Sequence, residues 1–437
     1  MELLIGFIIF IAAMVSCLIL GITTVAALIV GLIVFIGIGK IKGFTYKELG
    51  GFTAKGVKSS LVVAEVLLLI GFITAIWRTS GTISFFVYYG IKLISPNLFI
   101  LITFLLSAIL AYALGTSFGV AGTVGVIFMS LARSGNVDEI ITAGAVMSGV
   151  FFGDRGSPVS SSAILVATIT DTNLIDNVKR MFKTAILPIV ICIVAYGILS
   201  YQNPINGVDE TILNALGDEF NISVWTIIPA ICMVVLPLFR INVIWALTSS
   251  IVSGILISVL VQGNGLLHVV EQSIFGYSSE HAVLSNILNG GGLTSMIEVI
   301  FIVMLSSSYS GIFDGTKMLS KLEELLGKMV NKTGKFFVMV LMSFFTVGVF
   351  CNQTIASIMC CDLMKNVYDD NDGSKEELAL DIENSAILIA SIVPWSIACI
   401  VPLSFLGVGF EAIPYSIYLY VVPICYGLTK KYFRYKI

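Results

Sequence analysis

The chain has 437 residues, 57% hydrophobic and 12% charged, with a net charge of −3 and a mean hydropathy of +1.01. That balance excludes a water-soluble globular protein, and the basic residues form no tract for nucleic acid. Apolar runs of spanning length recur from Leu3 to Leu428, continuous rather than alternating, which predicts an all-α polytopic membrane protein and excludes a β-barrel.

In chain order, Leu3 to Gly39 lacks a basic leader and is long enough for two spans broken near Gly21, so it does not read as a cleaved signal. Lys40, Lys42, Lys47, Lys55 and Lys58 share the next loop, and Glu65 follows inside an apolar segment. Polar residues interrupt later segments at Gly115-Thr116-Ser117-Phe118-Gly119 and from Asp154 to Ser162. After Lys179, Arg180 and Lys183 come three spans, Thr184–Leu199, Thr226–Phe239 and Val243–Val261. The connections Tyr201–Ser223 and Gln262–Gly292 carry no lysine or arginine; a metal site from the two lone histidines of the second, His268 and His281, is the minor reading. Glu298 lies in the next apolar segment, followed by Lys317, Lys321, Lys328, Lys332 and Lys335. Further interruptions fall at Cys351-Asn352-Gln353-Thr354 and from Asp381 to Trp395, separated by an acidic loop, Asp369–Glu377. Lys430, Lys431, Arg434 and Lys436 end the chain. The positive-inside rule places the basic clusters and the tail in the cytoplasm and the two bare connections outside. The count comes to about 12 to 14 hydrophobic segments.

A weak internal similarity runs through this pattern. Glu65 falls on Glu298, Gly81 on Gly315, Thr116-Ser117 on Cys351-Asn352 and Pro158 on Pro394, with a spacing that drifts by only a few residues. The lysine-rich loop before the first copy corresponds to the bare loop before the second, so the copies face opposite ways. The expected organisation is N-terminal spans (1–39), a first inverted repeat (40–175), linking spans (176–275), a second inverted repeat (276–409) and a last span with a basic tail (410–437). Inverted repeats with interrupted helices are the architecture of secondary transporters, which bind their cargo where the copies meet near mid-membrane.

A carrier of small cations needs hard oxygen ligands and a titratable group. Asp154 is the candidate, since an acid at membrane depth costs about 2.5–3.5 kcal/mol on insertion scales and is rare without a function. Ser157, Ser160, Ser161, Thr116, Ser117, Asn352 and Gln353 are candidate neutral oxygens. Arg155 is a charge partner, either for Asp154 or, pointing about 100° away on a helix, for Glu65 or Glu383. The bland alternatives are a purely structural Asp154–Arg155 pair, serines bonded to their own backbone, Glu65 and Glu298 placed by chance near helix ends, and a solvated Glu383 beside Asp381. No G-x-x-x-x-G-K-[ST] or H-E-x-x-H motif is present, which argues against an ATP-driven pump and an enzyme. The eight cysteines form no C-x-x-C pair and read as small buried side chains.

GTSFGVAGTVGV (Gly115–Val126) followed by GAVMSGVFFGDRGSPVSSSA (Gly144–Ala163) resembles the NhaC-type sodium/proton antiporter family of bacteria, as do GGGLTSMIEVIFIVMLSSSYSGIFDGTKML and LALDIENSAILIASIVPWSIACIVPLSFLGV in the second half. The resemblance implies a multi-pass, inner-membrane, ion-driven exchanger with a broken-helix core of the ion-transporter type, Na+ and H+ as transported ions, and no cofactor. Membrane lipid is the surrounding partner, and a homodimer is the assembly such folds often adopt. Asp154 and Glu383 stand at family positions. Ser161 replaces the family's aspartate, Arg155 its lysine, and Asn352 a second aspartate, so the coupling or the substrate is expected to differ from typical members. The family also resembles malate/lactate exchangers, so sodium-coupled carriage of an organic acid or amino acid is the alternative, for which Arg155 would suit an anionic solute.

Overall fold

The computed structural model describes residues 2–20, 22–93, 95–205, 210–239, 241–318, 333–368 and 374–433. Lys321, Lys328, Lys332, Asp369, Asp370, Asp372, Arg434 and Lys436 lie outside the described residues. Among the described residues every regular element is helical, apart from an isolated bridge between Tyr277 and Gly290. Four helices are long and apolar enough to cross a bilayer, or six if each bent pair is one span, and seven further apolar helices are 10–17 residues long. The expected segments thus divide between span-length helices and shorter pieces, and the shorter helices Phe99–Leu114, Lys335–Phe350 and Ile397–Leu406 border the interruptions of the chain.

Helices α1 (Glu2–Leu20) and α2 (Thr24–Ile41) form the two expected N-terminal segments. Thr45 and Glu48 make a capping box at the start of α3 (Tyr46–Thr79), which leads to α4 (Thr82–Leu93). α5 (Phe99–Leu114) ends on Gly115, whose φ of 66° is the left-handed conformation that glycine adopts without strain. The chain re-enters helix at α6 (Ser117–Val120), passes a π-turn and continues as α7 (Val126–Ser134). α8 (Glu139–Gly156) follows, then a non-helical stretch around Pro158, then α9 (Ser161–Ile169) and the long α10 (Leu174–Gln202).

Glycine contacts reveal the directions. Gly149 of α8 abuts Phe104 and Ala108, and Gly153 abuts Ala111 and Tyr112, so α8 runs parallel to α5. Gly125 meets Val146 and Arg133 meets Glu139, so the α6–α7 limb runs the other way. Segments α5 to α7 are therefore a hairpin with its tip at Gly115-Thr116, and α8–α9 is an interrupted helix beside it.

Helices α10, α12 (Ile228–Leu238) and α13 (Val243–Leu260) lie where three linking spans are expected, and of these α10 alone is of spanning length by itself. The bare connections are not simple loops: they hold α11 (Glu210–Glu219), α14 (Leu266–Phe275) and α15 (Ala282–Leu288). α16 (Ile297–Thr316) then packs antiparallel to α3, with Gly56 against Ser307 and Gly311, and Gly71 against Gly292 and Met296. A Cβ on Gly56 would lie 2.1 Å from the Ser307 oxygen and one on Gly311 2.0 Å from the Phe52 oxygen, so only glycine permits this approach. The N-terminal hairpin covers α16 through Phe10, Phe35, Tyr309 and Phe313, whose rings lie 4.8–5.9 Å apart.

α17 (Lys335–Phe350) repeats the layout of α5. It ends on Cys351 with φ 54°, next to Asn352 at φ −136° and ψ 122°; the first break has Gly115 at φ 66° and Thr116 at φ −143° and ψ 122°. Gly115 therefore matches Cys351 and Thr116 matches Asn352, one residue off the sequence register that sets Thr116-Ser117 on Cys351-Asn352. α18 (Gln353–Met364) folds back on α17, with Thr346 Oγ1 3.3 Å from Cys360 Sγ. α19 (Ser374–Glu383) and α20 (Ala386–Ile389) run parallel to α17: Ser343 bonds Ser385, and Trp395 Nε1 donates to the Gly348 oxygen at 3.0 Å. After a non-helical stretch containing Pro394 come α21 (Ile397–Leu406) and α22 (Ile417–Thr429). Each outer segment crosses to the other half: Phe405 and Leu406 of α21 fill against Gly122 and Gly125, and Cys361 of α18 reaches the Ile169 oxygen of α9.

Candidate functional site

The two breaks meet. A cavity of about 230 Å³ is lined by Thr116 and Ser117 from the first hairpin tip, Asn352 and Gln353 from the second, and Asp154, Ser161 and Ser162 from the interrupted helix. The breaks hold because side chains replace lost helical partners. Thr116 Oγ1 accepts from Gly119 N–H at 3.2 Å, Asn352 Oδ1 from Ile355 N–H at 3.2 Å, and Ser160 Oγ from Ser162 N–H at 3.1 Å. Backbone closes the rest: Ile397 N–H donates to the Cys351 oxygen at 2.8 Å, and Gly115 packs against Val159 so closely that a Cβ would lie 2.6 Å from its carbonyl.

Asp154 is 4% exposed. Its Oδ2 accepts from Gln353 Nε2 at 3.0 Å and from Ser162 Oγ at 3.1 Å, and its Oδ1 lies 3.4 Å from Ser160 Oγ. Gln353 also donates to Ser162 Oγ at 3.2 Å. The acid of the first half is thus bonded directly to a side chain of the second. The first residues of α6, α9, α18 and α21 all border the cavity. Four helix N-termini, each carrying partial positive charge, therefore converge around one carboxylate.

The remaining candidates fall elsewhere. Ser157 Oγ donates to the Tyr112 oxygen at 2.6 Å, tying the interrupted helix to α5, and Ser160 Oγ donates to the Asp154 backbone oxygen while capping α9. Neither borders the cavity. Arg155 points away from it, donating to Tyr418 Oη at 2.5 Å, Thr184 Oγ1 at 2.6 Å and the Met181 oxygen at 3.1 Å. Glu383 is fully buried, not solvated, and neither of its oxygens has a hydrogen-bond partner among the described residues; Arg155 and Asp154 are the charges that act on it. Asp381 is buried too, accepting from Tyr368 Oη at 2.5 Å, Tyr426 Oη at 2.8 Å and Lys430 Nζ. Glu65 and Glu298 are exposed on the helix surface, and Glu298 accepts from Thr23 Oγ1 beside a separate cavity of about 590 Å³. His268 and His281 line another cavity with Glu219 and Glu280; no metal-binding group of three such side chains occurs among the described residues.

The sequence profile described as the Na+/H+ antiporter family matches residues 3–199 and 149–430. The chain belongs to the Na+/H+ antiporter family. Its relatives include the Na+/H+ antiporter NhaC of Alkalihalophilus pseudofirmus, 26% identical over 403 residues that cover 91% of this chain and 87% of that one. The malate-2H+/Na+-lactate antiporter of Bacillus subtilis is 26% identical over 409 residues, covering 90% of this chain and 86% of its own. The arginine/ornithine antiporter ArcD of Halobacterium salinarum is 27% identical over 392 residues, covering 87% and 81%. The family is one of multi-pass membrane transporters, not an enzyme class. Set against that membership, Ser162 and Thr354 are the hydroxyl residues at the cavity that sequence reasoning passed over, and Ser162 is the one bonded to Asp154. It stands among four near-identical serines, and only the turn at Pro158 brings it back onto the Asp154 carboxylate.

Proposed function

We propose that this protein exchanges Na+ for H+ across a bacterial plasma membrane, using Asp154 as the group that both ions share. The observation that carries this reading is one buried carboxylate bordering a cavity of neutral oxygens where both breaks meet. With Asp154 ionised, a dehydrated sodium ion finds a carboxylate oxygen and the hydroxyls of Ser161, Ser162, Thr116 and Ser117. A half-turn of the Gln353 amide presents its carbonyl oxygen in place of its N–H donors. With Asp154 protonated, the negative charge is gone and sodium leaves. Residues 40–175 and 276–409 are read as inverted repeats that move against each other around this site. The like conformations at Gly115-Thr116 and Cys351-Asn352, and the antiparallel packing of α3 on α16, support that reading. In the same reading the lysine-rich loops and the C-terminus face the cytoplasm.

Sodium-driven proton movement in proteoliposomes tests the proposal. Asp154→Asn is expected to abolish it, and full activity in that variant overturns the assignment. One-for-one competition at a single carboxylate also requires the apparent KM for sodium to rise by about tenfold per pH unit on the acid side, because each unit adds tenfold proton.

A second reading, sodium-coupled carriage of a carboxylate or amino acid, is favoured by the four converging helix N-termini, which suit an anion. Arg155 is not its receptor, since it does not border the cavity and its Nη1 and Nη2 donate to Tyr418, Thr184 and Met181. Accumulation of labelled malate under a sodium gradient, without sodium-dependent proton flux, would select this reading.

A further inference from the structure

We propose that a further cavity, between Arg78 and Arg133, binds a small 2-hydroxy monocarboxylate. The cavity has a volume of about 310 Å³, within the range of small-molecule sites, and shares no lining residue with the Asp154 cavity. It opens where the end of α3 and the end of α7 meet the 289–296 segment and the end of α21, on the face proposed as external.

Arg78 is the anchor. It is 5% exposed, and its one hydrogen bond among the described residues runs from Nη1 to the Thr74 oxygen at 2.5 Å. Its Nε is buried without a partner, and no carboxylate pairs with it among the described residues. Arg133, the other cation, is already neutralised by Glu139, Nε to Oε2 at 2.7 Å, and donates to the Leu406 oxygen at 3.3 Å. The walls therefore carry one uncompensated positive charge, which matches one carboxylate. An under-bonded buried guanidinium is a costly arrangement, and an anion in the cavity that accepts from the terminal Nη donors, rather than the enclosed Nε, relieves part of that cost. A lysine ammonium would offer no such planar edge.

The other walls suit a hydroxy acid. Asn289, Ser295 and Ser404 line the cavity, and the Ser295 and Ser404 hydroxyls donate to the Gly292 and Ile400 oxygens at 2.6 and 2.8 Å, which leaves their own oxygens to accept from a ligand hydroxyl. Gly291, at φ 75°, packs closely on α3 beside the guanidinium: a Cβ there would lie 2.9 Å from Ala75 N and 3.0 Å from Arg78 Nη1.

The test is equilibrium dialysis of the purified full-length protein in detergent with labelled glycolate. Wild type is expected to bind about one glycolate per chain saturably, below about 10 mM, with no displacement by equal chloride. Arg78→Gln is expected to weaken binding by about tenfold or more, the loss of a charge-assisted pair, and Arg78→Lys by a smaller factor. Asp154→Asn is expected to leave it within about twofold, which separates this site from the transport site. No saturable binding by wild type, equal displacement by chloride, or unchanged affinity in a folded Arg78→Gln protein overturns the proposal.

Discussion

Asp154 and Glu383 are both buried acids in the second member of a broken helix pair, yet their oxygens meet opposite surroundings. Asp154 faces a cavity and three donors; Glu383 faces none among the described residues. Sequence alone ranked Asp154 first because an acid, a proline and hydroxyls stood together in apolar sequence. It gave no means of separating Ser157 and Ser160, which serve the backbone, from Ser161 and Ser162, which border the cavity. Four hydroxyls within six residues sort only once the turn fixes their directions. Gln353 provides the test at this scale, because it is the donor that crosses between halves. Gln353→Leu removes a hydrogen bond to a charged group, worth about 1.5–3 kcal/mol. The expected result is a protein that still folds and transports, with an apparent KM for sodium raised by about tenfold or more in a sodium titration. An unchanged KM would remove Gln353 from the site.

The breaks are the elements on which the site depends, and their backbone geometry is set by single residues. Gly115 and Cys351 occupy equivalent left-handed positions, at φ 66° and 54°. Gly115→Ala would place a methyl 2.6 Å from the Val159 carbonyl, forcing the hairpin tip off the interrupted helix, and transport should be lost together with thermal stability. Cys351→Gly removes the strain of a side chain in that conformation, and transport should survive it. A reversed result, active Gly115→Ala with dead Cys351→Gly, would show that the two tips are not equivalent. The interruptions themselves were legible from Gly, Pro and hydroxyl residues in apolar runs. The return of α6–α7 along α5 was not, because residues 117–134 are apolar enough to read as one more span. Nor were α11, α14 and α15, short helices inside stretches that look like polar connections. Glu383 reads either as a pathway acid or as a solvated neighbour of Asp381, because nothing local foretells that Tyr426 of α22 bonds Asp381. Lys430 from the end of that helix bonds Asp381 and Glu377, the latter at 2.9 Å. Lys430→Met leaves Asp381 buried without its ammonium and should cost about 3–5 kcal/mol, visible as a lowered melting temperature.

At the scale of the whole molecule the question is orientation, since the proposed inverted repeats make sense only if equivalent loops open on opposite sides of the membrane. The structure supplies antiparallel packing of α3 on α16 and a pair of hairpins whose tips meet, and the charge pattern of the loops supplies a direction. An ion pair joins the proposed inner ends, Lys55 Nζ to Asp314 Oδ2 at 3.3 Å, linking the start of α3 to the end of α16. Lys375 and Asp171, paired at 2.7 Å, link the turn after α9 to the start of α19, and the Lys375 ammonium holds the exposed Asp171 carboxyl below its ordinary range. Such exposed pairs contribute little stability, so their use is as markers of a shared face. Tyr201, 75% exposed at the far end of α10, marks the opposite face. With the half-exposed Cys17 and Cys232 replaced, Lys55→Cys should react with an impermeant maleimide only in inverted vesicles, and Tyr201→Cys only in right-side-out cells. Labelling of both from one side would contradict the direction of α10 as well as the charge rule. Labelling with the sides exchanged would keep the fold, turn the molecule over, and move the Arg78 cavity to the cytoplasmic face.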